Sequence, residues 1–427
     1  MINAPKKKTP GSQKKPQLVP GMFDILPVMD SSWDYMTEKL QRLARGFGFS
    51  RIELPFLEFS SLYEDVDLGA HTLVTFMDPE SNRIAVRPET LPGLIRAYNE
   101  RKVIDVQKLS KWYHCSPVIV YDEKQKKFIN CWEYGFELLG EFSPLTEVQL
   151  ISLVWKFMRS LGLENLNLEI NSVGRAECRK NYDETLRAFL NSKKYELCNE
   201  CVASIEEYPM QVFRCKNLEC RTVAAEAPQV VDYLDEDCHK HFTHILEGLD
   251  ELGVGYSLNP MLVGKPGTSR TIFSFKYKDE HNEYFIGEGA YHEDMFKELT
   301  GKQVACFGFT GYLEVLHKAV QHQNGERLGE VKSEVYLAPL GDLASKKALR
   351  LFSELWDENI NVHNHFDGGG VKNQLKLAEG QKAMIALIIG QKEAMDDMVI
   401  LRDVKSGMQE VFRYDQIIDE VKKRLGR

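Results

Sequence analysis

The chain has 427 residues, 43% of them apolar, and a formal charge of -9; five lysines and no acid lie in "MINAPKKKTPGSQKKPQL", so the remaining body carries -14. Length and composition suit two or three soluble domains with sizeable cores. No run of ~18 apolar residues and no apolar leader core points to a membrane span or to export, so a cytoplasmic location is expected, and the acidic body argues against broad DNA binding.

Residues 1–18 read as a disordered basic tail. Trp33, Met36, Leu40, Leu43 and Phe47 recur at helical spacing behind a capping Asp30 or Ser31, predicting a helix that ends at Gly46 or Gly48. "SRIELPFLE" follows as a strand with Pro55 in mid-run, which suggests an edge, a bulge or an interface. "RIAVRPE" predicts a strand and "TLPGLIRAYNERK" a helix. "SPVIVYDEKQKKFINCWEYGFELLGE" predicts a hairpin whose polar tip carries Lys124, Lys126 and Lys127 but no arginine. A helix near 146–161 precedes the strand "LNLEINSVG".

Residues 175–250 read as a helical, cysteine-bearing insertion. Cys198 and Cys201 form a C-x2-C pair, and Cys215 and Cys220 a C-x4-C pair. Four thiolates around one structural zinc and four separate thiols are both compatible with that spacing. Cys115, Cys131, Cys178, Cys238 and Cys306 are scattered and read as small buried hydrophobes. Strands resume at "GYSLNPMLV", "RTIFSFKY" and "EYFIGEGAY", with "GEGAYHEDM" expected to turn between strands, and "CFGFTGYLEVLHKAV" passes from strand to helix. Residues 19–325 thus form an α+β domain built on antiparallel strands. From 331 to 427 the texture changes: "EVYLAPL", "NVHNHF" and "MIALIIG" alternate with helices, which predicts a small α/β domain with a largely parallel sheet. "DGGG", Asp367 to Gly370, reads as loop punctuation. No Walker A loop, dinucleotide fingerprint, HExxH or GxSxG is present.

The stretches "GMFDILP", "GFGFSRIELPFLE", "VRPET", "YGFELLGE", "LNLEINSVG", "APQVVDYLDEDCHKHF", "DGGGVKNQLKLAEGQKA", "ALIIG" and "LRDVKSG" occur in one order along nearly the whole chain. That collinear set resembles the histidyl-tRNA synthetase family. The resemblance implies a class II catalytic fold, an antiparallel sheet flanked by helices, followed by a C-terminal anticodon-binding domain. It also implies a homodimer with Pro55 near the contact, and tRNA binding through 331–427. ATP and Mg2+ follow only if the activation chemistry survives.

Several implied residues are missing. The motif 2 Phe-Arg-x-Glu falls on Val118-Ile119-Val120-Tyr121, so Ile119 stands for the α-phosphate arginine and Tyr121 for its glutamate. Val315 follows Glu314 where motif 3 has its arginine. The Arg-Gly-Leu-Asp-Tyr-Tyr segment becomes "VGKPGTS", with no arginine before Arg270. Gly-Gly-Arg-Tyr-Asp becomes "GEGAYHED", leaving Ala290 at the arginine, and Lys-Glu-Met-Tyr becomes "HTLV". Glu89 and Glu137 match residues that hold the substrate amino group, and Glu133 falls on a glutamine. Arg87 either lines the former nucleotide side or pairs with these acids.

Activation expels pyrophosphate from an α-phosphate that needs rigid cationic donors, and losing one such donor costs about 3 to 4 kcal/mol. No catalytic residue is therefore expected. Three functions remain: a tRNA- or protein-binding or regulatory paralogue; a divergent histidine–tRNA ligase using Arg270 or the loop lysines; and a histidine-sensing protein like the regulatory subunit of ATP phosphoribosyltransferase, a relative expected to lack the anticodon-type domain.

Overall fold

The computed structural model describes residues 16–69, 71–324, 333–366 and 369–427. Residues 1–15 of the predicted tail, and Asp367 and Gly368 of "DGGG", lie outside them. The chain divides into two compact units, residues up to 329 and from 330.

In the first unit one sheet holds the strands in the order Ser50–Arg51, Leu109–Asp122, Lys127–Gly140, Cys306–Tyr312, Glu283–Tyr291, Ser269–Lys278, Leu166–Ser172 and Ser257–Leu258. Its interior pairings are antiparallel, and only the two short outer strands pair parallel. The helices Pro27–Gly46, Pro144–Ser160, Glu236–Glu251 and Leu313–Asn324 belong to one side. There Trp33, Met36 and Leu40 meet Phe136, Leu138, Phe273, Phe275, Phe307 and Phe309 in one apolar core. Helical spacing of 3.6 and strand spacing of 2 each deliver their apolar face to this layer. On the opposite side, helices Leu91–Glu100 and Glu293–Thr300 bury Leu94, Ile95, Tyr98 and Phe296 against Leu139 and Cys306.

Several expectations change. The first helix starts at Pro27, ahead of the predicted cap, since proline suits the first helical turn where its missing N–H is no loss. "SRIELPFLE" is not one strand: Ser50–Arg51 and Leu57–Phe59 belong to different sheets, separated at Pro55, which has no N–H to offer a ladder. "GYSLNPMLV" contributes only Ser257–Leu258. "GEGAYHEDM" is no turn, because Gly287 and Gly289 sit inside the strand Glu283–Tyr291. A Cβ on Gly289 would lie 2.4 Å from both the Gly308 carbonyl and the Phe273 ring, so these glycines let backbone and aromatic rings close up.

In the second unit the sheet order is Val362–Asn364, Val335–Pro339, Ile385–Ile389, Met398–Asp403, Gln409–Arg413. The first two pairings are parallel and the last two antiparallel, so the sheet is mixed rather than largely parallel. "LRDVKSG" supplies the overlooked hairpin turn: the Asp403 carboxylate accepts the Ser406 N–H at 2.6 Å, and Gly407 takes φ +77°. Val335, Leu337, Leu351, Leu355 and Leu387 form its core.

Candidate active site

The hairpin Leu109–Asp122 and Lys127–Gly140 runs fourteen residues on each arm. Its register pairs Trp112 with Glu137, His114 with Gly135, Ser116 with Glu133, Val118 with Cys131 and Val120 with Ile129. Directly paired residues share a face and neighbours along a strand alternate. Tyr134, Phe136 and Leu138 enter the main core, so Glu133, Glu137, Val118 and Val120 look out from the other side of the sheet. The tip is closed by the Asp122 carboxylate, which accepts the N–H groups of Lys124 and Gln125 at 2.9 Å.

Over that face lies a cavity of about 300 Å³. Val118, Val120, Ile129 and Cys131 of the hairpin, with Tyr312 beside them, form an apolar wall. Asp67, His71, Glu89, Arg214 and Lys265 form a charged one. Ile119, placed at the phosphate-gripping position by its sequence register, is on the far face, and so is Tyr121. The strand pleat gives the places beside the cavity to Val118 and Val120. The tip lysines are not among the lining residues.

The three acids form a graded set. Glu89 lines the cavity, with Lys265 Nζ 3.5 Å from its carboxylate. Glu133 is buried, accepts the Thr90 N–H at 3.0 Å, and is pushed up to about 7 by burial and by the nearby Glu89 charge. Glu137 lies deeper, and burial and the Glu133 charge hold it well above the carboxylate range. It packs against Gly308, where a Cβ would stand 1.7 Å from Oε2. Burial and mutual repulsion raise both groups, and a cation placed beside them would favour their ionised forms.

Arg87 does not pair with these acids. Its guanidinium donates to the carbonyls of Pro117 at 2.8 Å, Leu54 at 3.0 Å and Pro55 at 3.2 Å, which ties the Pro55 segment to the hairpin. Arg270 is not in the main cavity either. It lines a separate cavity of about 60 Å³ with Arg175, Asp237 and His241, stacks over Tyr291, and lies 3.6 Å from Glu293. Ala290 is buried against the insertion, and Val315 packs on the main core. Neighbouring Glu314 accepts the Trp132 N–H at 2.8 Å.

Among the cysteines, the Sγ atoms of Cys198, Cys201, Cys215 and Cys220 all lie within 4.8 Å of one another. The scattered ones are less uniformly buried than expected: Cys115, Cys131 and Cys178 are half-buried, and Cys131 lines the cavity.

The charged wall was not foreseen. Lys265 lies within "VGKPGTS", a segment whose most visible departure is its missing arginine. Burial pulls the Lys265 ammonium down, but Glu89, Glu288 and Asp67 outweigh it and hold it above the ordinary lysine range. Arg214 comes from the insertion and sits 3.4 Å from Asp67. Nothing near either residue in sequence announces the other.

The family model described as Histidyl-tRNA synthetase matches residues 21–316, and that described as Anticodon binding domain matches 334–424. A histidine–tRNA ligase of Dehalococcoides mccartyi is 29% identical over 412 residues, covering 95% of this chain and 99% of the relative. The crystal structure of apo histidyl-tRNA synthetase from S. aureus superposes with a TM-score of 0.80 at 23% identity, over 95% of this chain and 99% of that one. An ATP phosphoribosyltransferase regulatory subunit/histidyl-tRNA synthetase from Bacillus halodurans reaches 0.63 at 15% identity, over 90% of this chain and 99% of that one. The last coverage exceeds the share held by the first 329 residues, so the second unit does not set this chain apart from that neighbour.

Proposed function

The chain belongs to the histidyl-tRNA synthetase family, class II, and from that premise we propose that it is a tRNA-binding paralogue which holds a small amine ligand without adenylating it. One observation carries the reading: the hairpin presents Val118, Val120 and Ile129 to the cavity where activation would need a rigid cationic fork. Aliphatic side chains offer no donor to charge developing on an α-phosphate. The two cations that do reach the cavity, Lys265 and Arg214, are each opposed by a carboxylate. Glu89 meanwhile lines the cavity, with the buried Glu133 and Glu137 behind it, and would offer its carboxylate to an ammonium group.

Residues 330–427 would contact tRNA, as the anticodon-domain match suggests. A homodimer in the cytoplasm belongs to the same reading. It is supported by Phe56, Leu57, Phe59, Phe76 and Met77, which stay exposed beside Pro55 and form an apolar surface suited to a second copy. Filter binding of cytoplasmic tRNA to the full chain at low and moderate salt tests the main claim. Saturable binding that weakens with salt is expected. No saturation at either salt sinks it.

A second reading, a divergent histidine–tRNA ligase using ATP and Mg2+, is favoured by the cavity's own Lys265 and Arg214. These two, rather than Arg270 or the loop lysines, would then face the nucleotide.

A further inference from the structure

We propose that Cys198, Cys201, Cys215 and Cys220 hold one structural zinc ion, and that this ion organises the part of the insertion from which Arg214 reaches the cavity.

The four sulfurs converge within 4.8 Å of one another, and Cys198 and Cys215 stand 3.8 Å apart. Zn–S bonds of about 2.3 Å in a tetrahedron separate the sulfurs by roughly 3.8 Å. Backbone N–H groups already point at two of the sulfurs: Cys198 N–H donates to Cys220 Sγ at 3.1 Å, and Asn217 N–H to Cys215 Sγ at 3.4 Å. Such donors spread thiolate charge and orient metal ligands.

The ligands sit on or beside three short helices, packed through Ile205, Met210, Val212, Val223 and Ala224 into a small apolar cluster. Cys198 precedes the helix Asn199–Ser204 and Cys201 lies in it; Cys215 follows the helix Gln211–Arg214, and Cys220 lies in Leu218–Ala225. These helices have six, four and eight residues, too short to persist by their own propensity. A metal bonded to all three would fix them, and would fix Arg214, one residue before Cys215, opposite Asp67.

A second cluster, Cys178, Asp235 and Cys238, serves as an internal contrast. It offers three ligands, and its groups are engaged: the Asp235 carboxylate accepts the Cys238 N–H at 2.7 Å and an Arg175 N–H at 3.1 Å, and Cys178 Sγ donates to the Arg175 carbonyl. It needs no ion.

The test uses the full chain purified without a metal-affinity step. Elemental analysis should find about one zinc per chain, lost in Cys198→Ser/Cys215→Ser and kept in Cys178→Ser/Cys238→Ser. Should the first double variant fail to fold, cobalt substitution of the unaltered chain decides: intense tetrahedral cobalt–thiolate absorption is expected. Trypsin should spare Arg214 and Lys216 in the zinc-loaded protein and cut there after chelation. Zinc far below one per chain, iron in its place, or cobalt spectra without thiolate bands would overturn the site. Unchanged protection after chelation would overturn its organising role. None of these outcomes depends on whether the cavity binds an amine.

Discussion

The two ends of one hairpin have opposite chemistry. Near Glu133 and Glu137 its cavity-side face is acidic and buried, while near Val118, Val120 and Ile129 the same face is aliphatic and open to the cavity. Both ends share one ladder of hydrogen bonds, but only the Glu133–Glu137 end lies on the aromatic core, so one backbone carries either chemistry. One face of a sheet can thus bury acids at one end and turn aliphatic side chains to a cavity a few residues away.

The contrast can be probed first in the aromatic core beneath the acidic end, where the largest effect is expected. Phe309 is fully buried against Tyr134, Phe273 and Phe275. Phe309→Ala should cost about 3–5 kcal/mol in urea unfolding. A loss below 1 kcal/mol would mean that this aromatic core does not support the sheet.

The acidic end is next. Glu133 keeps its proton in the folded chain up to about 7, against an ordinary value of 4.5. Between these values the folded state binds more protons than the unfolded one, so this group's stabilisation is full below about 4.5 and is lost as pH rises through 7. Glu133→Gln should therefore stabilise the protein above pH 7, by on the order of 3 kcal/mol, and change little at pH 4. Melting curves across that range check the sign. Binding of a cationic amine should strengthen over the same interval, as the carboxylate forms.

At the aliphatic end, Val120→Arg should tighten binding of an ATP analogue by about tenfold or more, from the ~1.5–3 kcal/mol of a charged hydrogen bond. Ile119→Arg, on the far face, should not. Equilibrium dialysis of both variants would sharpen or dissolve the distinction between the faces. The smallest effect belongs to the tip, where Lys126 sits at φ +52°. Lys126→Gly should stabilise by up to about 1 kcal/mol, visible as a small rise in melting temperature.

Much of the fold was legible in the sequence because apolar spacing marks strands and helices directly. The hairpin and the strand-to-helix passage at 306–324 follow from it. The strand interior at Gly287 and Gly289 was not legible, since glycine signals a turn unless one knows which ring or carbonyl approaches it. The last hairpin of the second unit is hard to read because its turn, "DVKSG", is closed by an Asp403 side-chain hydrogen bond and a left-handed Gly407 inside a charged stretch.

The site was harder to read. Its acids were named, but a one-residue difference in register exchanges the faces of a strand, and that separates Ile119 from Val118 and Val120. Lys265 and Arg214 converge on Glu89 and Asp67 from segments far away in sequence, which no local pattern encodes. Arg87 was readable as a charge but not as the clamp on three carbonyls that it forms.

Histidine-dependent ATP–pyrophosphate exchange on the purified full chain, with every other amino acid as a control, tests the central claim most directly. The aliphatic cavity wall predicts no exchange above background with any amino acid. Clear exchange with histidine would contradict it, and would place Lys265 and Arg214 in the roles the hairpin does not fill.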